Sequence, residues 1–191
     1  MHDPMAARVF VITGPSGVGK GTLIRTLREQ LEELELSVSA TTRPPRPGEE
    51  HEVDYHFLSD EQFDERIAAG DFLEHAGYSG RRYGTLRSEL EKRTAAGHPV
   101  VLEIEVQGAR QVRDKMPGAV QVFIAPPDEA ALRTRLIGRG TDSPDQIQAR
   151  MDTARGELEA RDEFAHVIVN DRLDAAVAEL VDIVRHYTEQ Q

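Results

Sequence analysis

A chain of 191 residues with 34 acidic side chains, 23 basic side chains and no cysteine excludes several classes of protein. The length suits one domain with a full hydrophobic core, and the formal net charge of −11 argues against nucleic acid or an anionic membrane surface as a partner. Disulfides, thiolate catalysis and cysteine zinc sites are excluded. No apolar run approaches the ~18 residues of a transmembrane helix, and the first residues do not resemble a signal peptide, so we expect a cytoplasmic protein.

The predicted elements alternate between strands and helices along most of the chain. Helices are indicated by apolar residues at helical spacing, as at Leu23 and Leu27, and by the capping-box pair Ser59 and Gln62. In chain order we predict strand 8–13, helix 20–34, strand 36–40, a proline-rich loop, strand 55–58, helix 60–69, a strand and turn over 72–85, helix 86–96, strand 100–106, helix 107–116, strand 120–125, helices at about 128–137 and 144–163, strand 166–170 and helix 173–187. Repeated β-α-β units with apolar strands indicate an α/β protein whose mostly parallel sheet is flanked by helices.

The stretch FVITGPSGVGKGT (10–22) carries the strongest local signal. Gly14, Gly19 and Lys20 fit the phosphate-binding pattern G-x-x-x-x-G-K-[ST]. A turn that leads into a helix points several backbone N–H groups at one spot, glycines let a phosphate approach closely, and the lysine adds a compact positive charge. The pattern ends in a hydroxyl that holds Mg²⁺, but Gly21 stands there. The alternative, a glycine-rich turn without a ligand, would require these residues to follow a strand by coincidence.

The stretch VVLEIEV (100–106) departs from the apolar composition of a buried strand. Glu103 and Glu105 are two residues apart, so in a strand both project from one face, near the end where open α/β sheets bind ligands. The pair could serve the water shell of a metal or accept N–H donors of a substrate. The alternative is an edge strand with one solvated face. The seven histidines show no metal-ligand spacing and are interpreted as solvated or packing residues.

From Arg8 to Tyr187 the sequence resembles the guanylate kinases, P-loop nucleoside monophosphate kinases that transfer a phosphoryl group from ATP to GMP. The motifs that carry the resemblance are GPSGVGKGT (14–22), SVSATTRPPRPGE (37–49), VDYHFL (53–58), FLE (72–74), RYGT (82–85), LEIEVQGA (102–109), IAPP (124–127), LIGRGTD (136–142) and VIVND (167–171). The glycine loop alone indicates only a nucleotide, whereas the arginine-proline and RYGT segments are typical of this family. The resemblance implies one domain over 1–191: a three-layer P-loop core at about 8–37 and 98–191, an inserted GMP-binding lobe at about 38–97 and a short lid at about 138–146.

The resemblance also implies roles for individual residues. For ATP it implies Gly14, Pro15, Ser16, Gly17, Val18, Gly19, Lys20, Gly21 and Thr22, with Asn170 on the adenine side. For the GMP phosphate it implies Arg43, Arg46, Tyr55 and Tyr83, and for guanine Ser39, Glu74, Thr85 and Glu105, with Glu103 close by. The catalytic charges implied are Lys20, Arg43, Arg135, Arg139 and Arg150. Without the resemblance, Arg43, Arg46 and the guanine-site residues would be interpreted as solvated, and the three other arginines as basic residues on amphipathic helices.

These roles have a chemical basis. A guanidinium group binds phosphate oxygens in pairs, and carboxylate acceptors with hydroxyl donors match guanine's N1–H, N2–H₂ and O6, whereas adenine presents the opposite pattern. The GMP phosphate loses its second proton near pH ~6, so transfer needs alignment and charge neutralisation rather than a side-chain base. Because Gly21 lacks a hydroxyl and Thr22 lies about 100° further around the helix, we expect ATP phosphates and waters to hold Mg²⁺. Glu103 and Glu105 would then lie no closer than the second shell.

Three positions depart from the family pattern. Glu105 stands where aspartate is common, Arg82 where a second tyrosine is common, and His75 where a larger aromatic is frequent. Two other functions remain open: a non-catalytic guanylate-kinase-like scaffold module, and a kinase acting on a ribosyl phosphate. The intact phosphate loop argues against the first, and Ser39 with Glu74 at a purine edge argues against the second.

Overall fold

A computed structural model describes residues 8–138 and 143–189. Its elements are β1 (Val9–Thr13), α1 (Lys20–Gln30), β2 (Glu35–Leu36), β3 (Ala40–Thr41), β4 (His56–Phe57), α2 (Asp60–Ala69), β5 (Phe72–Tyr78), β6 (Arg81–Leu86), α3 (Arg87–Thr94), β7 (Val100–Glu103), α4 (Val106–Lys115), β8 (Val120–Ala125), α5 (Glu129–Ile137), α6 (Pro144–Glu159), β9 (His166–Val169) and α7 (Leu173–Glu189), with a 3₁₀ turn (Arg161–Glu163) before β9. Arg139 and residues 140–142 of the predicted lid lie outside the described residues. Within the described ranges, no helix is both long and apolar enough to cross a membrane.

The larger sheet has five parallel strands in the order β2-β7-β1-β8-β9. Every residue of β1 and β8 is buried, because helices cover both faces of the sheet. One face packs against apolar residues of α1 and α7, such as Leu23 and Leu180, and the other against residues of α4, such as Val112. The predicted three-layer α/β architecture is therefore confirmed.

The smaller sheet has the order β4-β3-β6-β5, and all four strands come from residues 40–86. The helix α2 covers it: Phe63 stacks on Phe72 with 4.5 Å between ring centroids. The capping box of Ser59 and Gln62 begins α2 as predicted.

The larger and smaller sheets are joined through α4. The side-chain amide of Gln111 accepts from the backbone N–H of His75 at 3.2 Å and donates to its carbonyl at 2.7 Å. The ammonium of Lys115 donates to the carbonyl of Leu73 at 2.6 Å. These bonds hold β5 along α4, and Glu74 lies on β5 between the two attachment points.

Two predicted strands were wrong in a way that affects the site. The run 36–40 is not one strand: Leu36 ends a strand of the larger sheet and Ala40 begins one of the smaller sheet, because the chain crosses between the sheets here. The strand predicted over 100–106 ends at Glu103. Glu105 instead precedes α4 and caps it, accepting from the backbone N–H groups of Gly108 at 2.5 Å and Gln107 at 2.9 Å. The two glutamates therefore do not share one strand face.

Two predicted helices were too long. The helix predicted over 20–34 ends at Gln30. The helix predicted over 144–163 ends at Glu159, and the 3₁₀ turn follows it.

Candidate active site

One cleft of about 410 Å³ is lined by residues from both sheets and from the glycine loop. The predicted site residues that line it are Gly14, Ser16, Lys20, Ser39, Tyr55, Glu74, Tyr83, Glu103 and Glu105. The fold thus brings the predicted phosphate loop and much of the predicted GMP site into a single cavity.

The glycine loop between β1 and α1 has a backbone that only glycine adopts readily. Gly14, Gly17 and Gly19 have φ values of 143°, 86° and 99°. A Cβ at Gly14 would overlap the carbonyl oxygen of Ile124, so this position is also sterically closed to side chains. Lys20 begins α1 and donates from Nζ to the carbonyl of Gly14 at 2.5 Å. The lysine therefore lies against the loop whose N–H groups are predicted to hold phosphate.

Two further predicted residues, Asn170 and Arg135, bind the backbone of the glycine loop. The buried amide of Asn170 donates to the carbonyl of Val18 at 2.8 Å. The guanidinium of Arg135 on α5 donates to that same carbonyl at 3.1 Å and to the carbonyl of Asn170 at 2.8 Å. By contrast, Gly21 and Thr22 are exposed on the first turn of α1.

The predicted guanine-binding carboxylate lies on β5. Glu74 faces Thr85 across the β5–β6 pair, and the Thr85 hydroxyl donates to Glu74 Oε1 at 2.7 Å. Glu74 is only 3% exposed, and its burial raises its pKa to about 7 against the lowering effect of the Thr85 hydrogen bond, with the nearby Glu105 carboxylate adding to the rise. A Cβ at Gly108 would overlap Glu74 Oε2, so α4 packs directly on this carboxyl group.

The predicted phosphate clamp is assembled around Arg43. Its guanidinium makes two bonds to the carboxylate of Glu49, at 2.8 and 2.9 Å, and lies 5.2 Å from the ring centroid of Tyr55. The hydrogen bonds to Glu49 raise the Arg43 pKa above its usual value. Tyr55 and Tyr83 are adjacent, with ring centroids 6.3 Å apart. The side chain of Arg46 is exposed, while its backbone N–H donates to Glu49 at 2.7 Å.

A family model described as guanylate kinase matches residues 6–187. The chain belongs to the guanylate kinase family. A guanylate kinase of Synechococcus sp. (strain CC9902) is 55% identical over 173 residues, which cover 91% of this chain and 92% of that protein. One of Frankia casuarinae is 54% identical over 174 residues, covering 91% of this chain and 95% of that protein. The crystal structure of guanylate kinase from Anaplasma phagocytophilum has a TM-score of 0.76 at 31% identity and covers 94% of this chain and 85% of that one. The predicted family and the assignment to the phosphotransferases are confirmed.

Two residues of the guanylate kinase cleft were missed from the sequence. Glu157 of α6 accepts from the backbone N–H of Ser16 at 3.3 Å, and the hydroxyl of Tyr78 on β5 interacts with the Ser16 side chain. Both line the cleft. The signals were present: Glu157 follows Arg150 by seven residues and shares its helix face, and Tyr78 alternates with Glu74 along one face of a strand.

The surroundings of Glu103 in the cleft disfavour its charged form. Glu103 is exposed to the cleft, yet the protein surrounding it raises its pKa, with Lys20 acting in the opposite direction.

Arg82, which departs from the family pattern, bonds to Asp60 at 3.0 Å and Asp64 at 2.5 Å on α2. Its role in this structure is therefore to tie α2 to the smaller sheet.

Three residues in the smaller sheet region form a group that the sequence did not indicate. Possible ligand atoms of His51, Glu52 and His56 lie within 4.8 Å of one another. However, the backbone N–H of Phe57 donates to His51 Nδ1 at 3.1 Å, which leaves the imidazole proton on Nε2. His51 in this state offers no lone pair to a metal, so we assign no metal site here.

Proposed function

We propose that this chain transfers the γ-phosphoryl group of ATP to GMP, and also to dGMP, giving ADP and GDP for purine nucleotide metabolism in the cytoplasm. The observation that carries the proposal is the shared cleft, in which Lys20 and the glycine loop meet the buried carboxyl group of Glu74. A phosphate-binding loop facing a set of guanine acceptors suits a reaction that aligns two nucleotides.

The roles of the chain's residues follow from their chemistry. The loop N–H groups and Lys20 hold the ATP phosphates, and Arg150 of α6 with Arg135 and Arg139 adds positive charge where charge develops during transfer. Asn170 and Arg135 keep the loop in shape through the carbonyl of Val18. Thr22 donates its hydroxyl to an ATP phosphate oxygen.

The GMP side combines recognition of the base with binding of the phosphate. Ser39, Glu74 and Thr85 match the guanine edge, and Arg43 exchanges its contact with Glu49 for the GMP phosphate, aided by Arg46, Tyr55 and Tyr83. The GMP phosphate is already a nucleophile at neutral pH, so no side chain has to remove a proton. The predicted lobe and lid then close over both substrates and exclude water.

The residues of the cleft fit a Mg²⁺ ion that stays with ATP. Gly21 offers no hydroxyl, and both carboxylate oxygens of Glu105 already accept backbone N–H groups of α4. Glu103, which is exposed to the cleft, would be the carboxylate left to accept hydrogen bonds from waters of the ion. When bound, Mg²⁺ supplies positive charge that neutralises the phosphates.

A coupled ADP-release assay with ATP tests the proposal. The acceptors compared are GMP, dGMP, AMP, UMP and ribose phosphates, at matched concentrations. We expect GMP and dGMP to be phosphorylated, with AMP and UMP lower in kcat/KM by about 100-fold or more, because they leave buried polar groups of the site unpaired. Preference for a ribose phosphate would identify the rival kinase. ADP release no faster than without an acceptor would indicate the non-catalytic module.

A further inference from the structure

A carboxylate from another part of the chain lies at the phosphate loop. The carboxylate of Glu157 on α6 accepts from the backbone N–H of Ser16, 141 residues earlier in the chain, at 3.3 Å. Glu157 lines the same cleft as Gly14 and Lys20. Backbone N–H groups of this kind of loop are donors for phosphate oxygens, and a carboxylate is the side chain that most resembles one in charge and acceptor geometry.

The charges around Glu157 are those that a nucleotide phosphate would meet. Burial raises the pKa of Glu157, while the Lys20 ammonium and the Ser16 N–H act to lower it and the Glu105 carboxylate acts to raise it. The Tyr78 hydroxyl and Arg150 also face this region. A half-buried carboxylate is costly unless it is hydrogen-bonded and neutralised, and here the groups that do so are a loop N–H and the loop lysine.

We propose that Glu157 is an internal competitor of the ATP phosphates, bound to the loop when nucleotide is absent and displaced when the polyphosphate enters. The competition follows because the phosphates would use the hydrogen-bond donor that Glu157 occupies, the Ser16 N–H, and the positive charge of Lys20 that acts on Glu157 electrostatically. Glu157 therefore lowers the apparent affinity of the loop for ATP. The inference deepens the proposed function, because it requires that the loop bind phosphate.

Glu157→Gln and Glu157→Ala separate the charge from the hydrogen bond. Glutamine keeps an acceptor oxygen for Ser16 and loses the charge, whereas alanine loses both. Glu159→Gln is the matched control, since it removes one charge from an exposed position two residues further along α6. Thermal unfolding of each variant verifies that the protein is folded at the assay temperature.

The measurement is calorimetric titration with ATP, and separately with inorganic tripolyphosphate, in the absence of GMP. We expect binding to tighten by about 3-fold in Glu157→Gln and by about 10-fold in Glu157→Ala for both titrants, with Glu159→Gln unchanged. Unchanged or weaker binding in both Glu157 variants would overturn the proposal, as would equal tightening in Glu159→Gln or tightening for ATP but not for tripolyphosphate. If tripolyphosphate does not bind the wild-type chain, the phosphate-loop function itself fails together with this inference.

Discussion

Replacing Glu74 with glutamine is expected to stabilise the unliganded protein and to destroy its use of GMP. Glu74 is 3% exposed, and this burial raises the pKa of its carboxyl group to about 7, against an ordinary value of 4.5. The unfolded chain therefore loses this proton at lower pH than the folded chain does. The stability that the protonated group contributes is fully present below about pH 4.5 and is lost as the pH rises to about 7.

The size of the effect follows from the same two values. The rise in the Glu74 pKa from 4.5 to about 7 corresponds to about 3 kcal/mol in the free energy of unfolding. Glutamine does not ionise and can still accept from Thr85. We therefore expect Glu74→Gln to exceed the wild type by about 1–3 kcal/mol at pH 8, and by much less at pH 5.

Urea unfolding at pH 5 and pH 8 measures the change in the free energy of unfolding, with Glu159→Gln as a control for the loss of one charge. Steady-state kinetics measure the effect on GMP. An amide N–H₂ facing guanine donors should lower kcat/KM for GMP by about 100-fold or more, with ATP affinity nearly unchanged. A variant less stable than the wild type at pH 8 would refute the burial argument. Equal damage to ATP and GMP binding would show that Glu74 supports the fold rather than the base.

Three further substitutions test other parts of the site. Lys20→Met should fold normally but lose more than 90% of kcat/KM, because a charge partner of the transferring group is removed; retention of over about a tenth would contradict the role of the loop. Thr22→Val should impair the KM for ATP or kcat, while the Mg²⁺ midpoint at saturating ATP stays near that of the wild type; a rise of about tenfold or more with ATP binding intact would make Thr22 a metal ligand. Gly108→Ala introduces a Cβ that overlaps Glu74 Oε2, so kcat/KM for GMP should fall at least about tenfold with little change in ATP affinity; wild-type kinetics would show that the Glu74 position is not critical.

The sequence predicted those parts of the fold that depend on local patterns. The glycine loop, the apolar strands and the capping box of Ser59 and Gln62 are each specified within a few residues, and the structure has them where they were predicted. The end of β7 was missed because Glu105 keeps an extended backbone, with φ −84° and ψ 171°. Glu105 differs from a strand residue in its hydrogen bonds, because its side chain accepts from the first N–H groups of α4. The alternation of residue types along the sequence does not reveal such bonds.

The properties of the site depend on contacts between distant segments. The raised pKa of Glu74 arises because Gly108 of α4 lets the helix pack against a carboxyl group on β5, and the role of Arg135 became visible only with its bonds to carbonyls of the loop and of Asn170. Glu157 reaches Ser16 across 141 positions. The sequence indicated that Glu157 lies on the same face of α6 as Arg150. It did not indicate that this face contacts the phosphate loop.

Transfer within one cleft is tested most directly by following the γ-phosphoryl group itself. A single-turnover reaction with γ-labelled ATP and saturating GMP is quenched. The fractions of the label in GDP, inorganic phosphate and ATP are then measured. If the glycine loop and the Glu74 site hold the two nucleotides together and exclude water, nearly all of the label appears in GDP. Label that appears mainly in inorganic phosphate, or that remains in ATP, would contradict the account.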